Sequence, residues 1–412
     1  MTVNTFSRLG TANAYDSTVA NLQGRQNNLA NLQQSLSSGK KINTPADDPT
    51  GAAQAERALN RIARIATDQR ALETQRNAIA SAESTLGDIT SALQDARDLV
   101  VSAGNGAFSP AERKTVADQI TGLRQRILAL ANTQDSNGQP LFAALGSALT
   151  PFAGPAAAPD YAFNGLPGTG AGGTYAIAST LDGDSAFMLQ PGRDAVYNVK
   201  TTGASGNLTT DNVAKNPAAG TIDGHTYAIT IGAFNASAGT VDYTVSDTST
   251  VPASTLASPT GVAWTATNGF AVTGMPGLSL NIRGTPTAGD TVTVTPNSSI
   301  FGTLDNAVAD ITAAPSSMAA SQAVTQALHN IDISMARISA VRGQAGDLLN
   351  RADSITSTND KRTIEQKANQ SRAEDVDMVQ AISEFQKQQT GYQAALQSYA
   401  QIQKLSLFNY VC

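Results

Sequence analysis

The stretch SSGKKINTPADDPTGAAQA, residues 37–55, contains the turn signals on which the fold depends. Gly39 is typical of the residue just past a helix C-terminus, and we expect Lys40 and Lys41 to lie near the negative end of that preceding helix. Pro49 suits the first position of a second helix, because its fixed φ fits a helix and its missing N–H costs nothing there. The stretch therefore predicts a joint between two helices.

Asp47 and Asp48 stand directly before this proline and raise the question of catalysis. Proline disfavours the α conformation in the residue before it, so Asp48 is predicted to be extended, as an N-cap residue is. Both carboxylates can accept from exposed N–H groups and face the positive end of the second helix. A catalytic dyad would need two carboxylates that converge across a pocket, with an acid or metal partner nearby. We interpret Asp47, Asp48 and Pro49 as a helix-cap joint.

Apolar residues recur every seven positions on both sides of the joint. Upstream, the repeat comprises Tyr15, Leu22, Leu29 and Leu36, with Ala12 and Val19 in the partner seam. Downstream, a longer repeat comprises Ile65, Leu72, Ile79, Leu86, Leu93 and Val100, with Ala82, Ile89 and Ala96 in the alternate seam. Strict seven-residue spacing indicates helices wound against other helices with a 3.5-residue period.

The C-terminal part of the chain repeats the pattern. One helix is predicted from Val324, Leu328, Ile331, Met335 and Ile338, and a last helix from Met378, Ile382, Phe385, Tyr392, Leu396 and Tyr399. Several positions in the terminal seams are polar, among them Gln26, Gln33, Gln389 and Gln403. A two-helix coil with such a seam should be marginally stable by itself.

Two interpretations of the terminal seams remain open. The plain one is the core of a soluble helical bundle. The other is that the termini stay mobile until identical or related subunits supply more helices. Under the second interpretation the candidate assembly residues are Leu22, Leu29, Leu36, Phe385, Tyr392, Leu396 and Tyr399.

Residues 151–300 differ in composition from these flanks. They contain no glutamate and only four Lys or Arg residues, at Arg193, Lys200, Lys215 and Arg283. The β-branched runs His225–Ile231, Val241–Val245 and Asp290–Val294 are bounded by turn formers, as is typical of strands. We predict an α+β fold: a long antiparallel helical coiled-coil rod built from both termini with a β-hairpin, plus an inserted β-rich outer domain.

A smaller turn signal lies in NTQDSNGQPLF, residues 132–142. The Asn137-Gly138 pair favours a type I′ turn and hence a small hairpin leaving the rod, with an ordinary loop as the alternative. The predicted domains are therefore 1–43 with 364–412 as a terminal helical pair, 44–150 with 301–363 as a helical rod with the hairpin, and 151–300 as the outer domain.

Composition and motifs argue against several functions. The net charge is −6, and no dense basic patch suits nucleic acid. No run of about 18 apolar residues indicates a membrane span, and no secretory signal is visible. The only cysteine is Cys412, so no internal disulfide is possible. These features alone predict a soluble cytoplasmic protein.

No motif predicts a cofactor, a metal site or a catalytic centre. The GxGxxG match at residues 168–173 has no strand before it and no helical pattern after it. His225 and His329 lie in different segments and are too few for a typical zinc set. LDGDS, residues 181–185, has no glutamate within the insert to close a calcium loop.

The residues resemble a known family at both ends of the chain. LQQSLSSGKKINTPADDPTGAAQA, residues 32–55, is similar to the N-terminal signature of bacterial flagellins and hook-associated proteins, and residues 327–355 and 401–411 resemble the C-terminal counterpart. Pro49 in DDPTG, and LANTQDSNGQPLFAA at residues 130–144, resemble the hook–filament junction proteins more than filament flagellins. The likeness covers roughly the first 150 and last 130 residues well and the insert loosely.

The resemblance implies a mechanical function and no enzymatic one. In this family the terminal helices form the inner core of the flagellar tube, further helices and a hairpin form a shell, and a β domain projects outward. It implies export without a cleaved signal peptide and an extracellular place at the hook–filament junction, in contrast to the prediction from composition. The implied partners are hook-associated protein 1, flagellin, other copies of the chain in a helical layer, and an export chaperone. A filament flagellin is the alternative.

Overall fold

A computed structural model describes residues 5–155, 160–170, 173–203 and 207–411, with side chains described from 16 to 401. The predictions for Ala12, Tyr15, Gln403 and Cys412 lie outside the described side chains. Two compact units are present: one contains the chain up to Gln69 and from Thr356 onward, and the other contains Arg70–Ile355.

Eight α-helices and twelve strands follow one another along the described chain. The helices are α1 Thr5–Ser38, α2 Pro49–Ala103, α3 Pro110–Ala131, α4 Gly183–Phe187, α5 Pro191–Asp194, α6 Ile300–Ala313, α7 Ser317–Glu374 and α8 Met378–Val411. The strands are β1 Phe152–Ala153, β2 Ala162–Phe163, β3 Tyr197–Thr202, β4 Thr209–Thr210, β5 Ala214–Lys215, β6 Tyr227–Asn235, β7 Thr240–Asp247, β8 Ser254–Ala257, β9 Val262–Ala263, β10 Phe270–Val272, β11 Leu278–Arg283 and β12 Thr291–Pro296. The predicted α+β fold with long terminal helices and a β-rich insert is confirmed.

The seven-residue repeat of α2 is buried along its full length, as predicted. Every member from Ile65 to Val100 is at most 4% exposed, and the alternate-seam residues Ala82, Ile89 and Ala96 are fully covered. In the larger unit α2 runs antiparallel to α7, since Arg76 pairs with Asp353 at 3.1 Å and Arg97 pairs with Asp332 at 2.8 Å. The repeat therefore supplies the hydrophobic core, and exposed ion pairs flank it.

Six aromatic rings extend this helical core into the start of the insert. They are Phe142, Phe152, Tyr161, Phe163, Phe187 and Phe301, and each ring has a neighbour whose centroid lies about 5 Å away. The cluster joins the residues before α4 to α6 and to the helices of the rod. The described residues between Phe152 and Phe187 thus contribute to the helical core, a result that the β-rich composition of 151–300 did not predict.

The remainder of the insert forms two antiparallel sheets with their own hydrophobic core. The larger sheet has the order β3-β12-β6-β7-β8, with β9 also paired to β7, and the smaller has the order β10-β11-β4, with β5 also paired to β11. The three predicted strand runs correspond to β6, β7 and β12. Buried and half-buried residues alternate along β7, so one face of the strand packs against the core.

A small hairpin follows α3, as predicted, but its turn is not type I′. Gly138 has φ +76°, whereas Asn137 is not among the described residues with positive φ. The Gly138 N–H donates to the carbonyl of Asp135, and the Asp135 N–H donates to the carbonyl of Gln139 at 2.8 Å. This is a type I turn followed by a left-handed glycine, which is favoured because the Asp135 carboxylate accepts from the N–H groups of Asn137 and Gln139.

Candidate functional site

The terminal helices α1 and α8 pack against each other within the smaller unit. They run antiparallel, since Arg25 lies beside Gly391 while the backbone of Lys40 pairs with that of Asp375. A Cβ at position 391 would stand 2.7 Å from the Arg25 guanidinium, so that side chain lies against the backbone of α8. A glycine inside a helical pattern is the sequence signal that could have revealed this contact, because it costs about 1 kcal/mol relative to alanine and often has a packing reason.

The candidate assembly residues are only partly covered within the single chain. Leu22, Leu29, Leu36, Phe385, Tyr392 and Tyr399 are half-buried, and Leu396 is 42% exposed. Among residues 16–38 and 378–401, where side chains are described, only Ala381 is buried. Val379 is 82% exposed, and Met378 and Ile382 are 45% exposed. The terminal pair therefore leaves apolar surface uncovered, which is typical of surfaces that bind other proteins.

The joint predicted from residues 37–55 lies against the turn between α7 and α8. The Lys41 N–H donates to the carbonyl of Glu374 at 2.8 Å, and the Val376 N–H donates to the carbonyl of Gly39 at 3.0 Å. Gly39 has φ +71°, as expected for a residue that ends a helix. Two turns that are more than 300 residues apart in sequence are thus paired through their backbones.

Asp48 caps α2 as predicted. One carboxylate oxygen, Oδ1, accepts from the N–H groups of Thr50 and Gly51, both at 3.0 Å, and from the Thr50 hydroxyl at 2.6 Å. The Gly51 N–H in particular holds the pKa of Asp48 below its usual range, because its hydrogen bond favours the ionised carboxylate. A Cβ at Gly51, the third residue of α2, would stand 2.5 Å from the Asp48 carboxylate and 2.6 Å from Ile42, so a larger residue there would displace these neighbours.

The prediction that Asp47 also faces the helix end is wrong. Its Oδ2 accepts from the N–H groups of Thr44 at 2.7 Å and Asn43 at 3.0 Å, which lie in the preceding turn. These hydrogen bonds, that from Thr44 first, lower the pKa of Asp47. An Asp two residues before Pro49 is too far from the first turn of α2 to cap it, so it closes the loop instead. Both carboxylates thus accept hydrogen bonds from nearby backbone N–H groups.

The expected position of the two lysines also needs correction. Lys40 and Lys41 follow the end of α1 in sequence, but their ammonium groups contact the end of α7. The Lys41 ammonium donates to the Arg372 carbonyl at 2.9 Å, and Lys40 forms an ion pair with Glu374. Cations do favour a helix C-terminus here, but the helix is α7, which lies far from the two lysines in sequence and could not be identified from it.

We expect Asp48→Ala to loosen the first turn of α2. The N–H groups of Thr50 and Gly51 lose their acceptor, so their amide hydrogen exchange should accelerate. Asp48→Asn should preserve most of the protection, because asparagine also accepts at an N-cap. Asp47→Ala is the matched control, and should accelerate exchange at Asn43 and Thr44 only.

The same joint should weaken in acid. The pKa values of Asp47, Asp48 and Glu374 are lowered in the folded chain, that of Glu374 mainly by its hydrogen bond with Lys40. Their stabilisation is complete above the unfolded pKa values near 4 and is lost as the pH falls through the lower folded values. Exchange at Gly51 measured between about pH 5 and pH 2 should show this loss, and Asp48→Asn should reduce the pH dependence. Exchange that does not change with pH, after correction for the intrinsic rate, would contradict the capping role.

Comparison with known proteins places this helical arrangement in a family. Residues 10–146 match the bacterial flagellin N-terminal helical region, and residues 328–411 match the bacterial flagellin C-terminal helical region. These two regions together cover more than half of the chain. The chain belongs to the bacterial flagellin family.

Within the flagellin family the chain is similar to hook-associated proteins. It is 25% identical over 403 residues to flagellar hook-associated protein 3 of Escherichia coli, covering 97% of this chain and 98% of that protein. The same protein of Salmonella typhimurium is 28% identical over 206 residues, which span 48% of this chain and 59% of the relative. The crystal structure of hook-associated protein 3 from Legionella pneumophila superposes with a TM-score of 0.63 at 25% identity, over 77% of this chain and 98% of that chain.

This flagellin-family chain is a structural protein of the bacterial flagellum. The α1–α8 pair and both of its turns lie inside or beside the two matched regions, so the joint belongs to the part that the family shares. In the described residues no helix combines the length and apolarity needed to cross a membrane.

Proposed function

We propose that the chain is the hook–filament junction subunit, which forms the layer between hook-associated protein 1 and the flagellin filament. The observation that carries the proposal is the alignment with hook-associated protein 3 over nearly the full length of both chains. The Asp135–Gln139 hairpin supports it, because this segment resembles the junction proteins. The role is mechanical, and we assign the chain no enzymatic reaction.

We propose that the terminal pair, residues 1–43 and 364–412, forms the inner core of the tube. The half-buried seam of Leu22, Leu29 and Leu36 and the exposed Leu396 leave apolar surface that neighbouring copies, hook-associated protein 1 and flagellin would cover. Burial of that surface would contribute about 25 cal/mol per Å² removed from water. Residues 44–150 and 301–363 would form the surrounding rod, and 151–300 would supply the outer domain.

The proposed location is extracellular, at the tip of the hook. We infer that the subunit is exported by the flagellar type III apparatus without a cleaved signal peptide and with an export chaperone. A terminal pair held by partly covered seams suits this route, because little buried apolar surface must be exposed before export.

We expect limited proteolysis of the monomer to trim both ends first. Local opening costs least where few apolar side chains are buried, and the described side chains of α1 and α8 are far less buried than the repeat of α2. A protease of low specificity should leave a resistant core that begins near Asn43, identified by mass spectrometry of the fragments. Termini as resistant as the centre of the chain would contradict the idea that assembly completes the terminal pair.

Deletion of the gene in its own host tests the proposed function. We expect cells that carry hooks without filaments, with unpolymerised flagellin in the medium, and restoration by the intact gene. Normal filaments in the deletion strain would reject the junction role. Electron microscopy of the concentrated purified protein separates the alternative, because a filament flagellin would form long filaments by itself and a junction subunit would not.

A further inference from the structure

One end of the larger sheet of the outer domain carries a polar cluster on its buried face. Val294 in β12 is paired with Val199 in β3 on one side and with Tyr227 in β6 on the other, and Tyr227 is paired with Asp247 in β7. Paired residues share a face of a sheet, as do residues two apart in a strand. Tyr197, Tyr227 and Asp247 therefore lie on the same face, and all three are buried.

The turn before β6 brings two more side chains to this end of the sheet. Asp223 and His225 flank Gly224, whose φ of +78° lies in the left-handed region that favours glycine. The His225 N–H donates to the Asp223 carboxylate at 3.1 Å, which closes the turn. Because of this turn, the side chains of Asp223 and His225 point to the same end of the sheet.

The three groups are close enough to share one ion. His225 Nδ1 lies 2.6 Å from Asp247 Oδ2 and 3.7 Å from Asp223 Oδ2, and all three ligand atoms lie within 4.8 Å of one another. The Tyr227 hydroxyl donates to the Asp223 carboxylate and orients it. The Ser249 N–H donates to the other Asp247 oxygen at 2.9 Å, so Oδ2 is the one that faces the histidine.

A buried hydroxyl on the same face of the sheet as the cluster has no hydrogen-bond partner among the described residues. This hydroxyl belongs to Tyr197, which is 2% exposed. Burial, and then the charge of Asp223, raise the pKa of Tyr197 to about 12. A buried polar atom without a partner costs about 1–3 kcal/mol, so an additional ligand at this position would remove a penalty.

We propose that Asp223, His225 and Asp247 bind one divalent transition-metal ion of the zinc class, with a water ligand that accepts from or donates to the Tyr197 hydroxyl. A mixed imidazole and carboxylate set suits zinc and cobalt better than calcium or magnesium, which take oxygen ligands only. The ion would fasten the turn at residues 221–225 to the end of β7.

The distances fit this assignment with small movements. Tetrahedral zinc at about 2.0–2.2 Å from nitrogen and oxygen places its ligand atoms roughly 3.4 Å apart. The observed 2.6 Å between His225 and Asp247 is a hydrogen bond that coordination would replace, and with the 3.7 Å to Asp223 it brackets that spacing. The exposed parts of Asp223 and His225 provide the route by which an ion enters, since their side chains are 32% and 40% exposed. Tyr227 then acts as an outer-shell partner of a metal ligand.

Calorimetric titration of the full chain with Zn²⁺, and with Co²⁺ as a spectroscopic probe, tests the proposal. Cys412→Ser is used as the background so that the thiol does not bind metal. We expect one equivalent of Zn²⁺ to bind and to raise the melting temperature, as any ligand of the folded state does. His225→Gln should abolish saturable binding, and Tyr197→Phe should weaken it by about tenfold.

Two further variants keep the test decisive. His329→Gln removes the other histidine of the chain and should bind Zn²⁺ like the background. Asp223→Asn leaves the His225–Asp247 pair intact, so the variant should still fold. Its Zn²⁺ binding should weaken at least tenfold, because loss of a ligand should cost no less than the roughly tenfold loss that removal of an outer-shell partner causes. Binding that survives His225→Gln, or no saturable binding in a well-folded background protein, would overturn the proposal and leave His225–Asp247 as a simple ion pair.

Discussion

Cells whose only copy carries Leu29→Asp are expected to lose swimming to the level of the deletion strain. Leu29 is half-buried in the single chain, and we propose that neighbouring subunits cover the rest of it. Assembly would then place an unpaired carboxylate among apolar side chains, which costs several kcal/mol. Leu396→Asp should act in the same way from α8, where the wild-type leucine is 42% exposed before assembly. Colony spreading in soft agar, with electron microscopy of the hooks, measures the effect.

The matched control is Asn31→Asp on the same helix. It adds the same charge at an exposed position two residues from Leu29, which a helix turns to a different face. We expect Asn31→Asp cells to swim, and purified Leu29→Asp protein to keep the helical circular dichroism of the wild type. Normal swimming of Leu29→Asp and Leu396→Asp would contradict the assembly role of both seams, whereas loss of helix in the monomer would show a folding defect.

The helical part of the fold could be predicted because its signals are local and repeated. The spacing from Ile65 to Val100 identifies a buried helix face without reference to any distant residue, and that face is buried. Asp48 beside Pro49 predicts a cap within three residues, and the hydrogen bonds to Thr50 and Gly51 confirm it. Short-range geometry determines both results.

The remaining features depend on which distant segments meet. Lys41 could not be assigned to the α7 carbonyl of Arg372, because the two residues are 331 positions apart. The same limit hid the cluster at His225, since Asp247 reaches it through the pairing of β6 with β7. A count of two histidines argues against an all-histidine site, but it says nothing about carboxylates that a sheet brings beside one of them. Whether the terminal seams are assembly surfaces remains a prediction.

Leu93→Ala should cause the largest loss of stability in the isolated chain. Leu93 is fully buried in the cluster that α2 shares with α7 and the aromatic rings, so truncation removes apolar contacts and leaves a cavity. Substitutions of this kind cost about 2–5 kcal/mol, and the close packing of Leu93 places it in the upper part of that range. Urea unfolding followed by far-UV circular dichroism measures the loss.

A neighbouring pair of valines shows whether burial is the cause. Val100 is fully buried and Val101 is 51% exposed, although they are adjacent on α2 and Val→Ala makes the same chemical change at both. We expect a clear loss for Val100→Ala and a change within about 0.5 kcal/mol for Val101→Ala. Equal effects at the two positions would mean that helix propensity governs the stability of α2. A large loss of stability at Leu93 and Val100 but not at Val101 would instead show that the buried seven-residue repeat determines the stability of α2, because only residues on the packed face would then respond.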